Sequence, residues 1–168
     1  MSAAEWTRAG SGVEISVSWE NITVHILGLA IDENNEQLQA GLQGLREFRH
    51  WRAEEIARKL ERAGITAAYD GAQKYASGAL ISRTHFARYL VQIGAAPDER
   101  KVFKQFLVNG KPGHVPGRWA SLGEAVGWIH AAGGQAVIAH PARYRMTRGK
   151  LRRLLQEFCD LGGEAIEV

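Results

Sequence analysis

The chain has few of the residue types that mark extracellular or membrane-spanning proteins. Among its 168 residues there are one cysteine, Cys159, and four prolines. A single cysteine excludes an internal disulfide and any zinc site built from several thiolates. The longest apolar run, Ile26 to Ile31, is far too short to cross a bilayer, and residues 1–11 contain no apolar signal-peptide core. We therefore expect a reducing, cytoplasmic compartment and no membrane partner.

Size and composition are those of a folded globular protein. The chain has a mass of 18.5 kDa, with 45% hydrophobic and 23% charged residues. A chain of this mass can bury about 69% of the surface that it exposes when unfolded, which is enough for a substantial core. The composition excludes disordered, collagen-like and coiled-coil classes. The length fits one domain, or one domain with an insertion.

Charge is unevenly distributed along the chain. Residues 36–118 hold 14 Lys and Arg and 8 Asp and Glu, a net charge of +6, whereas the other 85 residues hold 7 and 10, a net charge of −3. A basic segment beside an acidic one suits a phosphate-bearing ligand held near metal-binding carboxylates. The alternative is a set of Arg-rich helix faces exposed to solvent, and charge alone favours this simpler explanation.

The first block of the chain predicts a β-hairpin. Apolar and polar residues alternate with a period of two on both sides of residues 20–21. With those two residues as the loop, Ser16 faces His25 across the ladder. Glu14 and His25 then share one face as diagonal neighbours, about 7–8 Å apart at Cα. Two such side chains can converge on a metal ion, although simple solvent exposure also accounts for this face.

The middle block, residues 36–117, predicts a mainly helical segment. Apolar residues recur at near-helical spacing from Leu38 to Leu60 and indicate a long helix that ends at Gly64. Two glycines in its first half would allow a break there. Two shorter helices follow, the first with Ser82 as its N-cap. We expect this block to pack over the ends of the strands.

The third block alternates helices and strands. Ser121 and Glu124 form a capping-box pattern before a helix, and an apolar strand over 135–139 follows it. A second helix over 150–161 and a second strand from residue 164 complete the block. Helix and strand alternation at this spacing predicts parallel strands and an α/β architecture.

Two polar residues lie near the ends of these last strands. His140 follows the strand over 135–139, and residues at the carboxyl ends of parallel strands line active sites. Neutral imidazole is also a common metal ligand, so His140 is a candidate ligand, with a packing role at the strand end as the alternative. Glu167 could reach the same place, but we expect it to be a surface residue.

Four cationic or imidazole side chains could bind an anion. Arg83 and His85 begin a predicted helix, where free amide groups favour negative charge. Lys111 and Arg118 flank a loop rich in glycine and proline that could fold over a phosphate. Each of these signals is weak when taken alone.

Four segments, in this order, are recognisable together: residues 12–16 (GVEIS), 24–29 (VHILGL), 81–87 (ISRTHFA) and 137–141 (VIAHP). They resemble the PHP (polymerase and histidinol phosphatase) domain. More narrowly, they resemble its nucleoside 3',5'-bisphosphate phosphatase and 5'-3' exoribonuclease branch, also called TrpH-like or ribonuclease AM. The resemblance covers nearly all of residues 12–168.

This resemblance implies a fold and a chemistry. The fold is α/β, a partial distorted (β/α)7 barrel formed by residues 1–35 and 118–168, with residues 36–117 as a helical insertion that caps it. The activity is hydrolysis of nucleoside 3',5'-bisphosphates or of RNA from its 5' end. The cofactor is a cluster of two or three divalent ions, commonly Mn²⁺, with Fe²⁺ or Zn²⁺ as alternatives. No obligate protein partner is evident.

The resemblance also implies roles for particular residues. It implies that three residues are metal ligands, the first bridging two ions: Glu14, His25 and His140. The family's Ser-Arg-x-His motif matches residues 82–85 and implies that Arg83 and His85 contact a substrate phosphate. The positions of Lys111 and Arg118 are compatible with further phosphate contacts.

The sequence departs from the family at both ends. The family's opening His-x-His strand and closing Asp-x-His motif have no counterpart in residues 1–168. We therefore expect a chain that is truncated at both ends and that is inactive by itself. One alternative is a degenerate or truncated PHP domain with a regulatory role. The other is a non-catalytic, helical nucleic-acid-binding module, which a manganese titration would distinguish from the enzyme.

Overall fold

The computed structural model describes residues 11–167. The strands in that range are β1 (Val13–Trp19), β2 (Ile22–Leu29), β3 (Gln135–Ile138) and β4 (Ala165–Ile166). The α-helices in that range are α1 (Glu36–Arg62), α2 (Ala68–Gln73), α3 (Arg83–Gln92), α4 (Glu99–Val102), α5 (Leu122–Ala131) and α6 (Arg148–Asp160). A π-helical turn, Phe103–Leu107, continues α4, and a 3-10 turn, Pro141–Arg143, follows β3.

The chain divides into two compact units. Unit 1 comprises residues 1–44 and 118–168, and unit 2 comprises residues 45–117. The first boundary between the units lies within α1, at residues 44–45, so that helix begins in unit 1 and continues into unit 2. The second boundary lies at residues 117–118.

The predicted hairpin and its register are confirmed. β1 pairs with β2 in antiparallel fashion, and Ser16 faces His25. The inward face of both strands is core, and Val17, Val24 and Ile26 are all fully buried. Since side chains alternate between the two faces of a strand, this burial directs the polar residues of β1 and β2 to the opposite face.

The hairpin turn uses two residues in the left-handed conformation. Glu20 has φ 40° and Asn21 has φ 65°, the pattern of a type I′ turn, whose twist matches that of the flanking strands. Asparagine is common in such a turn but glutamate is not. The Glu20 carboxylate accepts hydrogen bonds from Arg153 of α6, which lower the pKa of Glu20 and tie the turn to that helix.

Unit 1 has a mixed sheet with the strand order β1-β2-β3-β4. β2 and β3 are antiparallel, and β3 and β4 are parallel as predicted. The capping box of α5 is also confirmed, since Ser121 Oγ accepts a hydrogen bond from the Glu124 amide and the Glu124 carboxylate accepts one from the Ser121 amide. The α/β class is therefore correct, and the described residues form an open sheet of four strands.

Unit 2 is helical and has its own buried core, which includes Leu60, Phe86 and Leu90. Helix α1 is not broken at its two glycines. Ser82 is the N-cap of α3, as predicted, and its amide donates to Nδ1 of His85. The helix α2 has no counterpart among the predicted helices, because six residues are too few to show a helical period.

Among the residues that the structure describes, no helix combines the length and the hydropathy needed to cross a membrane.

Candidate functional site

Three ligand-type side chains of unit 1 converge beside the carboxyl end of β3. Glu14 comes from β1, His25 from β2, and His140 from the residues that follow β3. His25 Nδ1 lies 2.9 Å from Glu14 Oε1 and 3.2 Å from His140 Nε2. His140 Nε2 lies 3.8 Å from Glu14 Oε1. We refer to these three residues as the triad.

The pairing of three strands explains this convergence. The β1–β2 register places Glu14 and His25 on one face as diagonal neighbours. The β2–β3 register sets Ile26 opposite Ile138, and the chain continues this pairing when the Ala139 amide donates to the carbonyl of His25 at 3.0 Å. The next residue, His140, therefore emerges beside His25.

The triad fits a divalent metal ion. Ligand atoms bound to one ion at about 2.1 Å, with angles of about 90–110°, lie about 3.0–3.4 Å from one another. The three distances in the triad, 2.9, 3.2 and 3.8 Å, bracket that range. Each imidazole nitrogen can offer a lone pair to a cation in the tautomer in which it carries no proton, and the carboxylate oxygen can do so when it is ionised. A set of nitrogen and oxygen donors of this kind accepts Mn²⁺, Fe²⁺ or Zn²⁺.

The triad is open to solvent on one side. The side chain of Glu14 is 52% exposed, whereas those of His25 and His140 are 32% and 25% exposed. Both imidazoles therefore lie deeper than the carboxylate.

His140 has an unusual backbone and an unpaired ring nitrogen. Its φ of 34° and ψ of 53° lie in the left-handed region, which is costly for any residue with a Cβ. Its amide donates to Glu167 Oε2 at 2.9 Å. Its Nδ1 is buried and has no hydrogen-bond partner among the described residues. Glu167 is exposed, as expected, but its contact with His140 is not predicted from the sequence.

Tyr144 connects the two strands that present the imidazoles. Its hydroxyl accepts a hydrogen bond from the His25 amide at 2.8 Å and donates one to the Ala139 carbonyl at 2.8 Å. Burial raises the pKa of Tyr144, and this effect exceeds the opposing effect of the bond from His25. The phenol therefore keeps its proton and remains a donor at neutral pH.

Of the predicted phosphate contacts, Arg83 and His85 lie on the first turn of α3 in unit 2. The Arg83 guanidinium carbon is 5.7 Å from the centre of the Phe103 ring, within the range of a cation–π contact. Burial lowers the pKa of Arg83. His85 accepts the hydrogen bond from the Ser82 amide at Nδ1, so a role in capping α3 accounts for its position.

The other two predicted contacts are exposed side chains. Lys111 lies in unit 2 within the turn-rich loop, where its backbone amide donates to the carbonyl of Val108. Arg118 lies in unit 1, at the start of its second segment. The structure does not assign either side chain to a defined anion site.

Unit 2 also contains cationic residues that belong to none of the sequence motifs. Arg52 donates to the Val115 carbonyl through Nη2 at 2.8 Å, and Lys59 donates to the His114 carbonyl at 2.8 Å. Both residues lie on α1, seven positions apart and thus on one face of that helix. The seven-residue spacing is the sequence signal that would have placed Arg52 and Lys59 on the same helix face.

Burial and neighbouring positive charges lower the pKa values of two side chains in this part of unit 2, Arg52 and His114. Burial, then the like charges of Arg83 and Arg49, lower the pKa of Arg52 to about 10, which leaves it charged at neutral pH. Burial, then the charges of Lys59, Arg52 and Arg83, lower the pKa of His114. We call Arg52, Lys59, Arg83 and His114 the cation cluster. Positive groups that disfavour one another in this way would be stabilised by a shared anion.

The chain combines a mixed α/β fold with a His/carboxylate triad that could hold a metal ion. No family model matches the chain. It is 53% identical over 159 residues to the 3',5'-nucleoside bisphosphate phosphatase of Chromobacterium violaceum. It is 46% identical over 158 residues to the 5'-3' exoribonuclease of Haemophilus influenzae, and 45% identical over 157 residues to the 5'-3' exoribonuclease Rnm of Escherichia coli. The resemblance inferred from the four motifs is thus confirmed, since the chain is a homologue of these proteins.

These matches cover nearly the whole chain but only part of each relative. They include 94% of this chain and 56%, 57% and 54% of the three relatives in turn. The chain therefore spans about half the length of the curated relatives it matches.

Solved structures share the fold. An amidohydrolase from C. violaceum, solved with bound sulfate and no metal, is 52% identical with a TM-score of 0.84, over 92% of this chain and 55% of that one. A candidate metal-dependent phosphoesterase from Bifidobacterium adolescentis is 23% identical with a TM-score of 0.78, over 93% and 56%. The second likeness supports the fold alone.

Proposed function

We propose that the protein containing this chain is a divalent-metal-dependent phosphoesterase that acts on nucleoside 3',5'-bisphosphates or on RNA from its 5' end. The observation that carries the proposal is the convergence of Glu14, His25 and His140 at distances suited to one ion. The names of the homologues support the substrate class. We further propose that the mixed sheet of unit 1 is part of a distorted (β/α)7 barrel and that unit 2 is its helical insertion.

The triad would hold the metal. A divalent ion bound there, which we propose to be Mn²⁺, would supply Lewis-acid stabilisation of charge on the phosphoryl oxygens and would activate water near neutral pH. Glu14 would contribute a carboxylate that could also bridge to a further ion. His25 and His140 would contribute imidazole nitrogens and orient the site from its less exposed side.

The cation cluster would bind a phosphate group that does not react. Arg83 and Arg52 offer guanidinium groups, which recognise phosphate through paired N–H donors. Burial is the main cause of the lowered pKa values of Arg52 and His114, but neighbouring positive charges add to it, and this repulsion supports an anion as the ligand because an anion would relieve it. We retain His85, Lys111 and Arg118 as proposed phosphate contacts, with Arg83 the best supported of the four.

The test compares two variants of the full-length protein, of which this sequence is the whole or a part. We expect His140→Ala to lower kcat on adenosine 3',5'-bisphosphate, because losing a ligand weakens both water activation and charge stabilisation, each worth several kcal/mol. We expect Arg83→Ala to act mainly on KM, since a charged hydrogen bond to phosphate contributes roughly 1.5–3 kcal/mol. Both are measured by phosphate release at saturating Mn²⁺.

An exposed histidine provides the control. His50 lies on α1 and is exposed, so His50→Ala should leave both constants unchanged. Near-normal kcat in His140→Ala would contradict the metal site. An unchanged KM in Arg83→Ala would contradict the phosphate role of the cation cluster. Nucleotide binding that needs no metal and persists in both variants would instead support a non-catalytic binding module.

A further inference from the structure

The ring of His140 lacks the contact that usually fixes a ligand imidazole. In most metal sites, the ring nitrogen that does not bind the metal donates to a carboxylate or carbonyl, which sets the tautomer and the orientation. In His140 the nitrogen facing the triad is Nε2, and the other, Nδ1, has no partner among the described residues. The orientation of this ring must therefore be set through its backbone and through packing.

Glu167 holds that backbone. Its carboxylate Oε2 accepts the His140 amide at 2.9 Å, and its own amide donates to the Ile138 carbonyl at 2.9 Å. Glu167 thus contacts the chain on both sides of the point where β3 ends and the left-handed residue begins. A hydrogen bond from a backbone amide to a carboxylate is one of the stronger kinds, and here it stabilises the left-handed conformation of His140.

Tyr144 links the backbone segments that carry the two imidazoles. Its hydroxyl bridges the amide of His25 and the carbonyl of Ala139, the residue before His140. Its ring lies 5.5 Å from the His140 ring, on which it packs edge-on, and the His25 ring lies 5.2 Å from that of His140 at an angle of 90°. One side chain therefore fixes the end of the β2–β3 ladder and also supports one of its imidazoles.

We propose that Glu167 and Tyr144 are positioning residues that hold His25 and His140 in their ligating arrangement, an inference that rests on the metal site of the proposed function. Neither residue is among those whose ligand atoms converge in the triad. Both act on the backbone from which the imidazoles project. Removing the hydrogen bonds of either residue should therefore lower the metal affinity. At position 167, an uncharged side chain that still accepts a hydrogen bond should restore it.

The experiment measures Co²⁺ affinity and the visible Co²⁺ absorption bands of the chain. We expect Glu167→Ala to weaken Co²⁺ binding roughly 10-fold or more and to change the bands, as loss of an outer-shell contact does. Glu167→Gln keeps an acceptor oxygen at the same reach and should recover most of the affinity. Tyr144→Phe keeps the ring but loses both hydrogen bonds, and it should weaken binding to a similar extent.

The chain offers a matched control for each residue. Glu164 Oε2 accepts the Ala136 amide at 2.7 Å, so Glu164→Ala also removes a carboxylate bond to β3, but at the other end of the strand. The Tyr89 hydroxyl donates to the Thr66 carbonyl at 2.9 Å in unit 2, so Tyr89→Phe removes a comparable bond far along the sequence from the triad. Both controls should bind Co²⁺ as the unmodified chain does.

Two outcomes would overturn the inference. If Glu167→Gln binds Co²⁺ as weakly as Glu167→Ala, Glu167 acts through its charge and is a ligand, not a positioning residue. If Glu167→Ala and Tyr144→Phe both bind like the controls, neither residue positions the triad. Should Glu167→Ala fail to fold, which its circular dichroism would reveal, Tyr144→Phe and Glu167→Gln still decide the matter.

A metal-free measurement separates this inference from the proposed function. The imidazole signals of His25 and His140 in nitrogen–proton NMR spectra report ring orientation without any metal. If neither the unmodified chain nor the full-length protein that contains it binds Co²⁺, the proposed function fails at its metal site. The positioning role then stands if those signals move in Glu167→Ala or Tyr144→Phe, and it falls if they do not.

Discussion

At the scale of single residues, the sequence pattern predicts the three side chains of the triad. It does not predict the contact that Glu167 makes with His140. Glu14 and His25 follow from a period of two and a two-residue turn, and the structure has the register that this pattern predicts. His140 follows from its place at the end of an apolar strand. The contact of Glu167 is with the backbone amide of His140. That amide points toward Glu167 because His140 has a left-handed φ, which no sequence pattern indicates.

His114 illustrates the same limit in unit 2. Its ring is surrounded by charges from two helices, Lys59 and Arg52 on α1 and Arg83 on α3. These residues are far apart in the sequence, and only the tertiary packing of unit 2 brings them together. The basic character of residues 36–118 was visible from composition, but a cluster could not be distinguished from a solvated helix face on that ground.

The lowered pKa of His114 predicts how stability depends on pH. The folded pKa lies below the unfolded value of about 6.5, so between the two values the unfolded chain binds more protons. The contribution of His114 to stability is therefore fully present above about pH 6.5 and is lost as the pH falls towards the folded pKa. We expect His114→Asn to reduce the acid loss in the free energy of unfolding, measured by urea titration at about pH 8 and about pH 5.

His50→Asn serves as the comparison, because His50 is exposed on α1 and should leave the acid loss unchanged. An acid loss in His114→Asn as large as in the unmodified chain would show that the charges around His114 do not disfavour its protonated form.

At the scale of elements, helix α1 shows why a local propensity is an incomplete guide. Gly41 and Gly44 would each weaken an isolated helix by roughly 1 kcal/mol relative to alanine, yet α1 runs through both. The two positions differ in their surroundings. A Cβ at Gly41 would lie 2.5 Å from the ring of Trp128 on α5, whereas a Cβ at Gly44 would meet nothing within 4 Å. Gly41 permits close packing, and that requirement is invisible in the sequence.

This contrast predicts opposite effects of the same substitution. Gly44→Ala should stabilise the chain by about 0.5–1 kcal/mol, because alanine loses less backbone entropy in a helix. Gly41→Ala should destabilise it by about 1–3 kcal/mol, because the Trp128 ring must move. Thermal and urea unfolding of the two variants provide the measurement. Equal stabilisation by both would show that α1 does not pack on Trp128 in this way.

Other elements were predictable because their ends are encoded locally. The N-caps of α3 and α5 lie at Ser82 and Ser121, as their sequences indicate. In α5 the Ser121 hydroxyl accepts a hydrogen bond from the Glu124 amide in the first turn. The parallel pairing of β3 and β4 followed from the helix between them. The antiparallel pairing of β2 with β3 did not, because more than 100 residues separate those strands and no local signal selects the partner.

At the scale of the whole molecule, the two candidate groups of functional side chains lie in different units. The triad belongs to unit 1, and the cation cluster belongs to unit 2. The family resemblance already implies metal ligands in the barrel segments and phosphate contacts in the helical insertion. The sequence alone could not place Arg52, Lys59 and His114 in one cluster, nor could it show that helix α1 belongs to both units.

This division predicts that metal and phosphate protect different parts of the chain against hydrogen exchange. A ligand that binds only the folded form stabilises it by RT ln(1 + [L]/Kd), about 2.7 kcal/mol at 100 times Kd, which slows exchange through unfolding about 100-fold. Mn²⁺ alone should slow exchange most in β1, β2 and β3. Inorganic phosphate alone should slow it most in α3, in the part of α1 within unit 2 and in residues 111–117. His140→Ala should abolish the first effect and Arg52→Met the second, each leaving the other intact. Slowing by Mn²⁺ that survives in His140→Ala, or slowing by phosphate that survives in Arg52→Met, would contradict this assignment of ligands to units.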